Sequence, residues 1–426
     1  MNISPINKKI FILITLAGII YPQSIINSYG IGNPGLYRDV ASTGLSSSGL
    51  VPGYGKNLSL MNPSTWSTSK YSIFSSTFKG VNRLFNRENI QNQYSNIDWL
   101  IFIVPIKQKY AFGIGLYPYV DQNVQFGRRD LMTPDNEESS LINQIVDYSG
   151  GLSSLRFAFG FPLGKFGLGG LGFDMVFGST RVHKSTEIND EVYIFDQRKL
   201  FNGIISQLYF TTNPFLIDSK EIILYLNLDF TIRDFYSELQ SYQPFIDVNQ
   251  NGFHDVFLID FPGIDNSPDP VRTKFPDFYN PMELNFGVNV KYASDISLMY
   301  EVGLWKNNSN ISGELFEFND GLSEKMYLSQ GLIKYANEFP QNIFHKFHWR
   351  TGYSISQMNF QNNPNKVDKY DLSIGLGLPF GKFGNQIDFA YTFSKIKSGN
   401  LINETVKTIK IGLTIGDIWF VKRRNR

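Results

Sequence analysis

Cysteine is missing altogether from the 426 residues, so a disulfide framework and a thiolate metal site are both excluded. Histidine is scarce, with four in the chain. Two of them, His345 and His348, stand three apart in FHKFHW. On a helix that spacing would suit a metal, but this stretch reads as a strand, where residues three apart face opposite sides. Charged residues are few, 18%, where soluble domains usually carry about 25%. They balance to +1, so no strong field points to nucleic acid. A nucleophile elbow, a phosphate loop and an HExxH motif are all missing, and the chain reads as a non-enzyme. The run GLGGLG sits inside alternating strands, the wrong setting for a dinucleotide fingerprint. Past the N-terminus no apolar run approaches the about 20 residues that a membrane-spanning helix needs. A mature chain that crosses a membrane must therefore do so as a closed β-barrel.

What the chain does have is aromatic residues and glycine: 37 Phe, 23 Tyr and 37 Gly. That mixture suits many strands joined by polar turns. At the N-terminus Lys8 and Lys9 precede an uncharged apolar run, residues 10–20. This is the layout of a secretory signal peptide, assigned to residues 1–24, and it is too short to span a membrane as a helix. Residues 25–68 are rich in Gly, Ser, Asn and Pro and show little periodicity.

From there on, period-2 alternation recurs. In YAFGIGL, Tyr110, Phe112, Ile114 and Leu116 face one way and Ala111, Gly113 and Gly115 the other. In LNFGVNVKY, Leu284 to Tyr292 alternate with Asn285, Gly287, Asn289 and Lys291. In YDLSIGLGL, Tyr370 to Leu378 alternate with Asp371, Ser373, Gly375 and Gly377, and IDFAYTF sets Asp388, Ala390 and Thr392 against bulky neighbours. Such segments are strands with one greasy and one small or polar face. Ten further segments, among them 152–161, 166–177, 203–210 and 222–232, raise the count to about 14. At Gly169-Gly170 the alternation slips, which suggests a bulge. Two P-x-G-K-F-G stretches, at Pro162 and Pro379, read as tight hairpin turns. Segments 121–150 and 233–283 read as long loops. Short turns on one side with long loops on the other is the habit of outer-membrane barrels. Tyr110, Tyr292, Trp305, Tyr370 and Trp419 lie near strand ends, where an interfacial girdle needs them. The fold class that follows is all-β: a transmembrane antiparallel barrel of about 14 strands over residues 69–421, with a basic tail at 422–426.

The sequence SLMNPSTWS carries Asn62, Pro63 and Ser64 just before the first strand. The chain ends in IKIGLTIGDIWFVKRRNR. Together these resemble the FadL-type family of outer-membrane transporters for long-chain fatty acids and aromatic hydrocarbons, in a Bacteroidetes-type form. Ser64 stands where that family has alanine. The resemblance implies that residues 25–68 fold into the lumen as a plug, with Asn62-Pro63-Ser64 as its motif. It implies passive uptake of a hydrophobic small molecule across the bacterial outer membrane, with membrane lipids around the barrel. The competing expectation is a non-transporting relative that serves protein secretion or surface attachment and binds partner proteins at its outer loops.

One local motif stands apart. In DVNQNGFHD, residues 247–255, Asp247, Asn249, Asn251 and Asp255 provide hard oxygen donors, Phe253 a backbone carbonyl and Gly252 the sharp turn. The spacing predicts a Ca²⁺ loop. Leu258 stands where an EF-hand has its bidentate Glu, and Asp260 is an alternative late ligand.

Overall fold

The computed structural model describes residues 25–418 except 35–37, 86–89, 108, 133–139, 189–190, 247–268, 277, 294, 310–320, 338, 362–365, 382 and 400–401. Fourteen long strands form the wall of a closed antiparallel barrel. They are β1 (Ser72–Phe85), β2 (Ile90–Ile106), β3 (Tyr110–Asp121), β5 (Ser140–Pro162), β6 (Gly167–Ile188), β7 (Glu191–Thr212), β9 (Lys220–Ser241), β12 (Pro281–Ala293), β13 (Ile296–Asn307), β14 (Leu322–Lys334), β15 (His348–Phe360), β16 (Val367–Phe380), β17 (Asn385–Ser398) and β18 (Ile402–Asp417). Four short strands, β4 (Val124–Met132), β8 (Phe215–Ile217), β10 (Phe245–Ile246) and β11 (Val271–Phe275), extend its rim. Closure comes from β1 against β18, in register from Ser72↔Asp417 to Phe85↔Glu404. A closed sheet leaves no backbone edge to lipid, which is the condition for crossing a bilayer with strands.

The wall turns its bulk outward. Phe112, Ile114 and Leu116 of β3, Leu284 and Phe286 of β12, and Leu372 and Ile374 of β16 are exposed, while Ala111, Asn285, Asp371, Ser373 and Asp388 are buried inside. This is the inverse of a soluble protein and the pattern of a lipid-facing surface. A charge placed there is costly: Ile374→Arg should lower folding stability by about 2–4 kcal/mol if it sits near mid-bilayer, read as loss of the heat-resistant folded band on unboiled gels.

Both P-x-G-K-F-G stretches are turns, between β5 and β6 and between β16 and β17. Each holds two glycines in the left-handed region: Gly164 (φ 64) and Gly167 (φ 135), Gly381 (φ 67) and Gly384 (φ 77). Any side chain there would be strained, which fixes glycine at those positions.

Four expectations need correction. Residues 124–132 and 140–148 are strand and not loop: β4 pairs with the outer part of β5 from Val124↔Tyr148 to Met132↔Ser140. Part of 233–283 is likewise strand, since β9 runs to Ser241 and β11 pairs with it. Above the bilayer neither face of a strand has to be apolar, so polar composition there does not mean loop. Gly169-Gly170 is no bulge, because β6 keeps unbroken register with both neighbours. A Cβ on Gly169 would meet the Phe161 ring at 2.7 Å, so the outward slot is filled from the next strand. Trp305 points inward and is 6% exposed, so it belongs to the lumen and not to a girdle. Trp419 lies outside the described residues.

Candidate functional site

The short turns mark the inner end of the barrel and the long connections its outer end. Residues 38–68 occupy the inner half of the lumen. Asp39 caps the five-residue helix α1 (Val40–Gly44), accepting from Ser42 N at 2.9 Å. Burial pushes the Asp39 carboxyl above the usual carboxylate range, and its hydrogen bonds from Ser42 offset part of that. The chain then crosses the lumen held by wall side chains. Glu301 accepts from Ser48 N at 2.5 Å and Val51 N at 2.8 Å. Arg350 Nε donates to the Gly53 carbonyl at 3.0 Å, and Ser46 Oγ donates to Ser373 Oγ at 2.8 Å.

Asn62, Pro63 and Ser64 open a 3-10 helix, Pro63–Thr68. Asn62 Oδ1 accepts from Ser64 N at 3.1 Å and Ser64 Oγ at 2.7 Å, while Asn62 Nδ2 donates to the Leu50 carbonyl at 2.9 Å. One amide thus ties the helix to the preceding crossing. Ser64 Oγ also meets Thr211 Oγ1 of the wall at 2.7 Å. Asn62→Ala removes both functions and should loosen the segment by about 1–2 kcal/mol, seen as faster protease cleavage within residues 54–58.

The wall receives this segment on glycines. A Cβ on Gly352 would lie 2.0 Å from Leu45 O, on Gly160 2.2 Å from Pro63 O, on Gly170 2.6 Å from Ser64 N, and on Gly113 2.5 Å from the Trp66 ring. The glycine-rich inner faces of the strands are therefore seats for backbone. Trp66 is fully buried, and its Nε1 donates to the Ser59 carbonyl at 3.0 Å.

Above the segment lies a layer of buried charge. Arg156 holds Asp174 through two hydrogen bonds, both 2.8 Å, and Tyr117 donates to Asp174 as well. Lys79 and Lys410 reach Asp98 at 2.6 and 2.5 Å. Two cavities, ≈ 120 and ≈ 240 Å³, open here on either side of the ascending N-terminal segment and share Lys325 and Tyr327.

The outermost layer is apolar. Val81, Tyr119, Val176, Phe201, Phe235 and Trp305 pack together with Ile26 and Ile31 of the N-terminal segment, and Tyr29 meets Phe360 edge-on at 5.4 Å. At this height the wall loosens. β2 and β3 pair only from Leu100↔Leu116 to Ile106↔Tyr110. Farther out β2 stays with β1, and residues 117–121 of β3 stay with β5. Bulges mark the split on both sides, at Asp98 and at Tyr119, and Pro118 has no N–H to offer a ladder.

Sequence reasoning singled out the Asn62 motif and saw Asp371, Asp388 and Lys291 only as a polar face. It missed Arg350, Glu301 and Asp98, whose partners lie far along the chain. The calcium reading at Asp247, Asn249, Asn251, Phe253 and Asp255 falls within 247–268, outside the described residues, as does the signal peptide reading at 1–24. His345 and His348 do not face a common point: His345 Nδ1 meets Asn337 Nδ2 at 3.1 Å, and His348 Nδ1 accepts from Ala336 N at 3.0 Å.

A family model described as BamG matches residues 7–425. Among solved structures, a Pseudomonas aeruginosa FadL homologue superposes with TM-score 0.52 at 12% identity, over 92% of this chain and 100% of the other. The CymD monoaromatic hydrocarbon channel gives 0.51 at 11%, over 93% and 99%. These likenesses show a shared fold, that of the FadL-type outer-membrane barrels. No curated protein matches the sequence.

Proposed function

The chain belongs to the BamG family, and from that premise and its lumen we propose that this bacterial outer-membrane barrel takes up apolar small molecules at its outer mouth and passes them sideways into the bilayer. One observation carries the reading. The apolar layer and the break between β2 and β3 lie at the same height, above an inner half filled by residues 38–68. Straight passage would drag an apolar molecule through the charged layer, which is unfavourable. A lateral exit avoids it, and residues 25–68 act as a plug. The solved neighbours include a hydrocarbon channel by name, which agrees with this class of cargo. Native mass spectrometry of detergent-extracted protein is expected to show a bound apolar molecule that an added long-chain fatty acid displaces. Protein that carries none and takes up none speaks against the reading.

A second reading has its own support. β5, β6, β7 and β9 have 23, 22, 22 and 22 residues, where a tilted span needs about 9–11. Roughly half of each rises outside the membrane as a sheet, extended by β4 and β11. Such a sheet suits partner proteins of a secretion or surface-attachment system. In-cell crosslinking from residues of β6 and β7 in this outer part would capture a defined stoichiometric partner if this reading holds. Calcium in the 247–255 loop stays a proposal resting on the spacing of its donors.

A further inference from the structure

The larger cavity is lined by charged side chains. Lys79 and Lys410 share the single carboxylate of Asp98. Arg83 is matched by Glu404 and Lys369 by Asp371. Asp121 also lines the space. Two more cations face it, Arg38 from the lumenal segment and Lys325 from β14; among the described residues neither sits in an ion pair, and Glu283 acts on both from the adjoining cavity. Arg38 is 9% exposed, and its Nε finds no hydrogen-bond partner there. Among the described residues, Lys325 Nζ makes only a long contact, 3.4 Å, with the Pro34 carbonyl. Leaving buried charge uncompensated is costly.

We propose that this cavity binds a phosphoryl oxyanion, held between Arg38 on the lumenal segment and Lys325 on the wall. Guanidinium and ammonium are the usual partners of phosphoryl oxygens, and the hydroxyls of Ser354, Ser356, Thr392 and Ser394 line the same space. The cavity, ≈ 240 Å³, has room for the ion with water, since one water needs about 10–15 Å³. Arg38 stands next to Asp39, the cap of α1, and Lys410 Nζ holds its carbonyl at 2.9 Å. The anion therefore ties the lumenal segment to the barrel, independently of what the outer layer takes up.

The oxyanion can be free phosphate or the headgroup of a lipid, and calorimetry on the full chain in detergent separates the two. The protein, washed into chloride, is titrated with inorganic phosphate and separately with dihexanoyl phosphatidic acid. Binding of inorganic phosphate supports a free ion, and binding of the lipid alone supports a headgroup site. Arg38→Gln and Lys325→Gln are each expected to weaken binding about tenfold or more, and Arg38→Lys to keep most of it. Lys56→Gln, on the exposed part of the same segment, should bind as the parent does. No heat with either probe, or an Arg38→Gln protein that titrates like the parent, overturns the proposal.

Discussion

Alanine at Gly352 is expected to unseat the lumenal segment. Its Cβ would lie 2.0 Å from the Leu45 carbonyl oxygen and 2.1 Å from the carbonyl carbon. Both are backbone atoms, so no side-chain rotation relieves the overlap. The segment cannot slide along the wall either, because Gly44 Cα already lies where a Cβ on Gly375 would meet it at 3.0 Å. Overpacking of this kind costs about 1–3 kcal/mol. The cost falls on the seated state alone, so local opening should become about 5- to 150-fold more frequent. The cysteine-free chain makes this simple to read. A lone Ser47→Cys, at a position 1% exposed, should react with a water-soluble maleimide faster by that factor when Gly352→Ala is added. Gly80→Ala is the control, since nothing lies within 4 Å of its Cβ position, and it should leave the rate unchanged. Equal rates in all three proteins would mean that the glycines are not seats.

The second large effect concerns Arg350 and Asp388. The Arg350 side chain is fully buried, and its Nη1 reaches Asp388 Oδ1 at 2.6 Å. Gln386 Nε2 donates to both oxygens of the same carboxylate, at 2.7 and 2.8 Å. Asp388→Ala strands a guanidinium in the wall and should cost about 3–5 kcal/mol. Replacing the pair together, as Arg350→Met with Asp388→Leu, removes the stranded charge and should cost clearly less than the two single changes summed. Urea unfolding in micelles measures both. A loss below about 1 kcal/mol for Asp388→Ala, the range of a solvated pair, would place water around Arg350.

Where lipid and lumen both act on a strand, the sequence is easy to read. In IDFAYTF the outward Ile387, Phe389 and Phe393 face lipid, and the inward Asp388, Ala390 and Thr392 are buried, so two solvents impose the period of two. The outer parts of β5, β6, β7 and β9 have no such constraint. There His183 meets Asp196 across the sheet at 2.7 Å, and Lys184 lies over the Phe195 ring. Polar residues on both faces erase the alternation, so no strand is read over 178–202, and 121–150 and the start of 233–283 read as loop. Trp305 was misplaced because the outer lumen is itself apolar, so an aromatic near a strand end has two possible homes. Within the lumenal segment, Asn62 was legible because capping is local. Its seats were not: Gly352 meets Leu45 across 307 positions of sequence, and no pattern in either stretch points to the other.

The central claim is that the chain's own N-terminal segment closes the lumen of the barrel. Single-channel recording in planar bilayers tests this directly, comparing the intact chain with one lacking residues 29–66, both verified as folded by their heat-dependent gel shift. The intact protein should pass no steady current, and the deletion should conduct as an open pore. A steady current through the intact protein, or silence from the folded deletion, would contradict the account.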